Sequence, residues 1–410
     1  MVKETHVTLS LPKGMKQTEL GLIPQDWNVV SLGEVLLKNP DYGINAAAVK
    51  FKYSLPTYLR ITDIDESGRF IKDNLSSVEN INSASYYLRE GDIVFARTGA
   101  SVGKTYLYNS ADGDLVFAGF LIRIQLDSKL TNSKFLFYNT QTKMYKDWIV
   151  SNSMRSGQPG INSNEIKTIK IPLPPLAEQE AIATALSDCD AWIESLEAVI
   201  AKKRLIKQGA MQELLTPKED WEVKKLGEVG EIITGGTPST LVAEYWNGDT
   251  PWITPTDINI KKDIYNGERN LTVSGVNQIR KLRKNSLLVT CIASIGKNAI
   301  LRVDGACNQQ INAITPNALF SVDYLYYLLE LNKKILIGKA GTTATLMLSK
   351  AEFSLIEFLF PSFNEQTRIA TVLSDMDTEL EALGQKLNKA RQIKQGMMQE
   401  LLTGRVRLVS

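Results

Sequence analysis

The sequence predicts an α+β protein built twice: two mixed domains in which strand predominates, each followed by one long helix. Three observations predict it. Residues 177–216 recur without a gap as residues 364–403, at an offset of 187 that holds from Glu178 and Glu365 to Thr216 and Thr403. An internal period of that length outranks local signals. Both copies space their apolar residues by steps of 4, 3, 4, 3 and 4, at Ile182, Leu186, Cys189, Ile193, Leu196 and Ile200, and at Ile369, Leu373, Met376, Leu380, Leu383 and Leu387; this is a heptad seam. A looser repeat, offset by 194, links the segments before the helices: Asp26-Trp27 with Asp220-Trp221, Thr62-Asp63-Ile64 with Thr256-Asp257-Ile258, and Leu88-Arg89 with Leu282-Arg283. One residue is then lost, and Ser101-Val102-Gly103-Lys104 matches Ser294-Ile295-Gly296-Lys297.

In order, the expected parts are a polar arm (1–22), a first variable domain (23–175), a first helix (176–216), a second variable domain (217–362), a second helix (363–404) and a short tail (405–410). Gly91–Ala96 and Val116–Ile124 read as extended in the first domain, Leu287–Ile292 and Ile311–Ile314 in the second. Phe135–Tyr138 and Tyr324–Tyr327 read as the apolar, core-forming part of a helix near each domain's end. No proline interrupts the long helices, while Pro174-Pro175 and Pro361 stand just before them, where proline is tolerated. Roughly 38 helical residues make a rod on the order of 55 Å long. Its narrow seam needs another helix to cover it, and the other copy is the nearest candidate. Past Ile200, Lys203 and Lys207 take seam positions. That half reads either as a solvated helix end or as a docking face for another protein's helix, through Ile206, Lys207, Met211 and Leu214 and their repeats Ile393, Lys394, Met398 and Leu401.

The 410 residues are 43% apolar and 22% charged, ordinary soluble globular material. A formal net charge of +2 does not announce a nucleic-acid binder, so any basic surface must be local. No run of 18 apolar residues appears and the N-terminus lacks a signal-peptide apolar core, so the expected location is the cytoplasm, away from membranes. Cys189, Cys291 and Cys307 form no CxxC, so neither disulfide nor zinc is expected. His6 is the only histidine, which argues against a His-centred triad. With no amino-methyltransferase motif of the Asn-Pro-Pro-Tyr type and no glycine-rich methyl-donor loop, no catalytic constellation is expected.

Gly99–Thr105 invites a phosphate-loop reading, but three residues separate its glycines where that motif needs four, and the second copy lacks the leading glycine. A Gly-Lys turn after a strand fits both copies better: it offers backbone amides and an ammonium to a DNA phosphate. The alternative is an ordinary surface turn. Candidate DNA contacts in the first domain are Lys50, Lys52, Arg60, Arg97, Ser101 and Lys104, with Arg155 and Gln158 from a Ser/Gly-rich loop. In the second they are Thr256, Lys261, Lys262, Ser294, Lys297, Gln309 and Gln310. Arginine suits guanine and carboxamides suit adenine in the major groove.

The stretch Ile171-Pro172-Leu173-Pro174-Pro175 into Glu178-Gln179, Leu186-Ser187-Asp188, Lys207-Gln208 to Leu214-Leu215-Thr216 and their second copies resemble the specificity (S) subunit of type I restriction-modification systems. Gly91–Arg97 with Gly103-Lys104 also resembles that family's target recognition domains, although Thr290-Cys291 stand where the second arginine would fall. The resemblance spans about Glu19 to Thr403. It implies two target recognition domains separated by antiparallel coiled-coil helices with internal pseudo-two-fold symmetry, each domain reading half of a split double-stranded DNA sequence and the helices setting the gap. It implies a subunit with no chemistry of its own. Modification subunits would bring S-adenosylmethionine and base flipping, and restriction subunits could join them. Two other readings stay open: a standalone DNA-binding or scaffold protein using the same helices, and an enzyme with an unrecognised site.

Overall fold

The computed structural model describes residues 12–154, 158–259, 261–340 and 346–408. The chain divides into two compact units, unit 1 from Met1–Leu196 with Lys386–Ser410 and unit 2 from Glu197–Gln385.

In unit 1, β1 (Met15–Thr18) and β2 (Gly21–Pro24) form an antiparallel hairpin that begins in the stretch read as a polar arm and runs past its end at residue 22. After β3 (Asn28–Ser31) come β4 (Asp41–Tyr42), β5 (Ala48–Lys50), β6 (Thr57–Leu59), β7 (Ser76–Val78), β8 (Ile93–Ala96), β9 (Thr105–Leu107), β10 (Leu115–Phe117) and β11 (Leu121–Ile124). They build two sheets, ordered β4-β11-β8-β9 and β10-β6-β7-β5. Every residue of β8, β10 and β11 is buried; β8 and β10 accordingly read as apolar runs without alternation, while β11 carries Arg123, which is paired with Asp41. Helices α1 (Ser133–Asn139), α2 (Lys143–Ser153) and α3 (Ser163–Lys167) follow, then β12 (Lys170–Leu173), which pairs with β3, and the long α4 (Leu176–Leu214).

Unit 2 repeats the plan. It comprises β13 (Glu222–Lys225), α5 (Leu226–Val229), β14 (Gly230–Thr234), β15 (Trp246–Ile253), β16 (Asp263–Ile264), β17 (Arg269–Leu271), α6 (Val273–Val276), β18 (Ser286–Thr290), β19 (Asn298–Leu301), β20 (Ala306–Cys307) and β21 (Ile311–Pro316). Then come α7 (Val322–Leu331), α8 (Lys333–Gly338), α9 (Lys350–Ser354), β22 (Glu357–Phe360) and the second long helix, α10 (Phe363–Leu401). Its main sheet runs β14-β21-β18-β19-β16, the first four tracing the path of β4-β11-β8-β9. The parallel pair β15/β20 answers β6/β10, and the ribbon β13/β22 answers β3/β12.

Each long helix has 39 residues, and each contributes to both units. In unit 1 the start of α4 lies antiparallel to the end of α10. Ile182, Ala183 and Leu186 share a core with Leu401 and Leu402, Cys189 Sγ lies 3.3 Å from Met397 Sδ, and Lys394 donates to Asp190 at 2.6 Å. In unit 2 the end of α4 meets the start of α10 the same way. Leu215 joins Ile369, Ala370 and Leu373, Lys203 reaches Glu379 at 2.7 Å, and Lys207 pairs with Asp377. Asp190 and Asp377 are one repeat position and Lys207 and Lys394 another, so one contact is made twice. Each pair recruits a tyrosine from its unit: Tyr138 donates to Asp190 at 2.8 Å and Tyr327 to Asp377 at 2.6 Å. Each lysine also sits over that tyrosine's ring, at 5.2 Å for Lys394 and 5.5 Å for Lys207. Lysine at a seam position is therefore the partner of an acid on the other helix.

The positions read as a docking face at the helix ends are mostly engaged within the units. Lys207 and Lys394 are ion-paired within their units, Leu401 is buried, and Met211, Leu214 and Met398 pack against the cores. Of the eight positions only Ile206 and Ile393 are exposed.

The repeated Glu-Gln has an equally local cause. Gln179 donates to the Leu130 and Pro174 carbonyls and accepts from Asn132 N; Gln366 does the same with Leu319, Pro361 and Ser321 N. The neighbouring glutamates differ. Glu178 is wholly buried, accepting from Trp27 Nε1 at 2.9 Å and from Arg407. Glu365 takes Lys218 at 2.7 Å near the surface. The segment read as a tail thus engages unit 1, Arg407 also gripping Asp26.

Candidate nucleic-acid interface

The β8–β9 connection is closed by Ala96 N to Lys104 O at 2.8 Å and Gly103 N to Ala96 O at 2.9 Å. The β18–β19 connection is one residue shorter and closed alike, by Thr290 N to Lys297 O at 2.9 Å and Gly296 N to Thr290 O at 3.0 Å. Gly103 and Gly296 both take φ +85°, a conformation glycine alone adopts without steric cost. The missing residue is absorbed at Ala293, held at φ 61°. Lys104 does not stand free on this turn: its ammonium meets Glu66 at 2.7 Å and the Ile64 carbonyl at 3.4 Å. Lys297 is exposed.

Beside the first turn lies a cleft of about 560 Å³, lined among others by Tyr42, Tyr58, Arg60, Thr62, Arg97 and Phe120. Its floor depends on Gly43, where a Cβ would stand 2.2 Å from the Ala118 carbonyl oxygen. The two arginines differ in state. Arg60 makes a fork to Asp63, at 2.8 and 2.7 Å, and donates to Asn74 O; the hydrogen bond to Asp63 pushes the guanidinium pKa up. Arg97 lies with its guanidinium carbon 4.9 Å from the Tyr42 ring centroid. Among the described residues its buried Nε has no hydrogen-bond partner. Phe120, whose carbonyl accepts from Arg97 N, is 59% exposed.

Matching backbone bonds identify the counterparts in unit 2. Cys291 N donates to Gln310 O as Arg97 N does to Phe120 O, and Asn308 N to Ile253 O as Ala118 N does to Leu59 O. Gly235 takes the place of Gly43, its Cβ position again 2.2 Å from carbonyl oxygens. Cys291 therefore replaces Arg97, Thr254 replaces Arg60 and Gln310 replaces Phe120. Burial pushes the Cys291 thiol up to about 11, so it stays uncharged at neutral pH. Thr254 and Thr256 share a hydroxyl hydrogen bond at 2.7 Å. Gln309 accepts from Thr237 Oγ1 at 2.6 Å, and Gln310 from Asn308 Nδ2 at 3.1 Å.

The other candidates scatter. Lys50 and Lys52 are exposed at and just beyond the end of β5, and Lys261 is exposed. Gln158 lies beside Gly99, and Arg155 falls outside the described residues. Ser101 and Ser294 serve their turns through their carbonyls, accepting from Lys104 N and the Thr290 hydroxyl. Lys262 donates to Asp323 and to Ser374 Oγ, both at 2.8 Å, and sits 5.3 Å from the Tyr327 ring, so it fastens unit 2 internally. Sequence reasoning missed Tyr42, Phe120 and Thr254. Thr254 stands 194 residues after Arg60, so the looser offset pointed to it; Tyr42 and Phe120 lie outside the matched segments and gave no signal. Among the described residues no group of three His, Cys, Asp or Glu could hold a metal, and no helix is long and apolar enough to cross a membrane.

Comparison with known proteins places two matches to one family along the chain. The family described as the type I restriction modification DNA specificity domain matches residues 24–203 and again 218–392. The putative type I restriction enzyme MjaX specificity subunit of Methanocaldococcus jannaschii is 26% identical, over 97% of this chain and 97% of that protein. The MjaIX specificity subunit of the same organism is 38% identical over 169 residues, covering 40% of this chain and 39% of its own length. The crystal structure of the type I restriction-modification S subunit from M. genitalium aligns with a TM-score of 0.61 at 16% identity, covering 96% of this chain and 98% of that one, which shows a shared fold.

Proposed function

The chain belongs to the type I restriction modification DNA specificity family, and from that premise we propose that each of its units reads one half of a bipartite DNA target while the chain itself performs no chemistry. One observation carries the reading: a single topology occurs twice, with unlike side chains at equivalent positions around the cleft. A duplicated reader of one palindromic half-site would keep those side chains alike. A pair reading two different half-sites needs them different and the framework fixed, as they are here. Methylation would come from modification subunits bound to the chain, with restriction subunits joining where the host makes them. Of the docking positions read from the sequence, the open ones are Ile206 and Ile393.

The long helices set the gap between half-sites. Lys207 follows Asp190 by 17 residues and Lys394 follows Asp377 by the same 17, so both helices must change together. Inserting a heptad into each, between its aspartate and its lysine, lengthens the gap in the methylated target and leaves both half-sites unchanged. Mapping methylated sites made by the chain with its modification subunit tests this. Altered half-site bases at an unchanged gap would refute it.

A further inference from the structure

We propose that Arg97 is the residue through which the first cleft grips DNA, its guanidinium fork donating to a pair of acceptors: N7 and O6 of a guanine, or two oxygens of one phosphate. The inference rests on the reading of the chain as a DNA-specificity subunit and names the contact within it.

The cleft's lining holds two cations, Arg60 and Arg97. Arg60 is satisfied by three hydrogen bonds inside the unit. Lys104, on the neighbouring turn, is held by Glu66 and Ile64 O. Arg97 differs from both. Its Nε is buried without a partner among the described residues, and a desolvated donor without an acceptor is costly. Its guanidinium carbon lies over the Tyr42 ring, 4.9 Å from the centroid, a cation–π distance. A guanidinium held over an aromatic ring can still donate through its two terminal amino groups, which suits a planar pair of acceptors. The ring is itself fixed, because Tyr42 Oη accepts from Ser163 N at 3.2 Å. The exposed Phe120 beside it adds an apolar surface at the mouth. In unit 2 the equivalent residue is the buried, uncharged Cys291, so the grip belongs to one half-site.

The test uses the full chain with its modification subunit, comparing the parent with R97Q and R97K. Methylated sites are mapped on a random duplex library, and affinity is followed against salt on the mapped target. If Arg97 reads guanine, R97Q loses roughly 5- to 150-fold of the preference for one G·C pair. R97K, which keeps the charge without the fork, loses most of it as well. If Arg97 grips phosphate, R97Q weakens binding evenly across sequences and flattens the log–log salt slope by about 1, and R97K restores the slope. In both cases the other half-site stays intact, which doubles as the check that the variant is folded. An R97Q complex with the parent's bases, affinity and slope overturns the assignment to Arg97 and leaves the functional reading standing. A parent complex that marks no bipartite target overturns that reading and this inference with it.

Discussion

In unit 1 Tyr138 and Lys394 close on the carboxylate of Asp190; in unit 2 Tyr327 and Lys207 close on Asp377. Gln179 and Gln366 bind equivalent backbone groups, and Gly43 and Gly235 let equivalent backbones touch. Around the cleft of unit 1 the likeness weakens: Arg60, Arg97 and Phe120 are answered in unit 2 by Thr254, Cys291 and Gln310. The difference teaches where the two copies were free to change. The aspartate–lysine–tyrosine clusters and the glutamines are alike in both copies, because a change on one side leaves a buried partner unsatisfied. Positions around the cleft differ even where, as at Arg60, the side chain is held inside its unit.

The comparison breaks most readily at the paired glycines. Gly43→Ala and Gly235→Ala should each cost roughly 3 kcal/mol or more, since the added methyl must displace a carbonyl rather than a flexible side chain. Urea unfolding of each variant checks this, and a cheap substitution in one unit only would mean that the floors are not equivalent. Next come the glutamates, where the units should differ. Glu178→Gln removes a buried charge from Arg407 and should cost roughly 2–4 kcal/mol. Glu365→Gln loosens a pair with Lys218 nearer the surface and should cost under about 1 kcal/mol. The melting temperatures of the two variants measure that gap. Trp221 supports the asymmetry: its indole N–H is buried and unpaired among the described residues, whereas that of Trp27 has Glu178.

Acid should separate the units further. Burial opposes ionisation of Asp323, but hydrogen bonds from Arg302 and Lys262 outweigh it and hold the carboxyl below its ordinary value. Its contribution to stability is present above the unfolded value, near pH 4, and is lost as the pH falls below that. In unit 1 burial drives Asp92 the other way, above its ordinary value. Its contribution is present at low pH and lost as the pH rises through the folded value. Urea midpoints followed from pH 5 to pH 3 should fall, and Asp323→Asn should flatten the fall while Asp92→Asn does not. The smallest effect is expected at Ala293, whose φ of 61° strains an alanine. Ala293→Gly should stabilise unit 2 by up to about 1 kcal/mol in the same assay. A loss instead would show that its methyl packs usefully in the shorter turn.

The duplication, the heptad seam, the strands around Ile93–Ala96 and Leu287–Ile292 and the helices at Phe135–Tyr138 and Tyr324–Tyr327 were legible in the residues, because periodicity and burial are written locally. The site was legible in part. Arg60 and Arg97 were found by type and by motif, and the substitution of Arg97 by an uncharged residue was visible at Thr290-Cys291. That Arg60 is held by Asp63 and Arg97 is not could not be read from a list of basic residues. The internal partners of Lys262, Lys207 and Lys394 were hidden for the same reason: a lysine in sequence carries no sign of whether an aspartate waits for it 61 to 204 residues away.

By itself the sequence determined that this chain is two copies of one plan joined to two matched helices, since a repeat that keeps register over forty residues states its own equivalence. Only the tertiary structure decided which charges are engaged inside the units and which face the cleft. An ion pair depends on the distance between groups far apart in the chain, and that distance exists only once the strands and helices have packed.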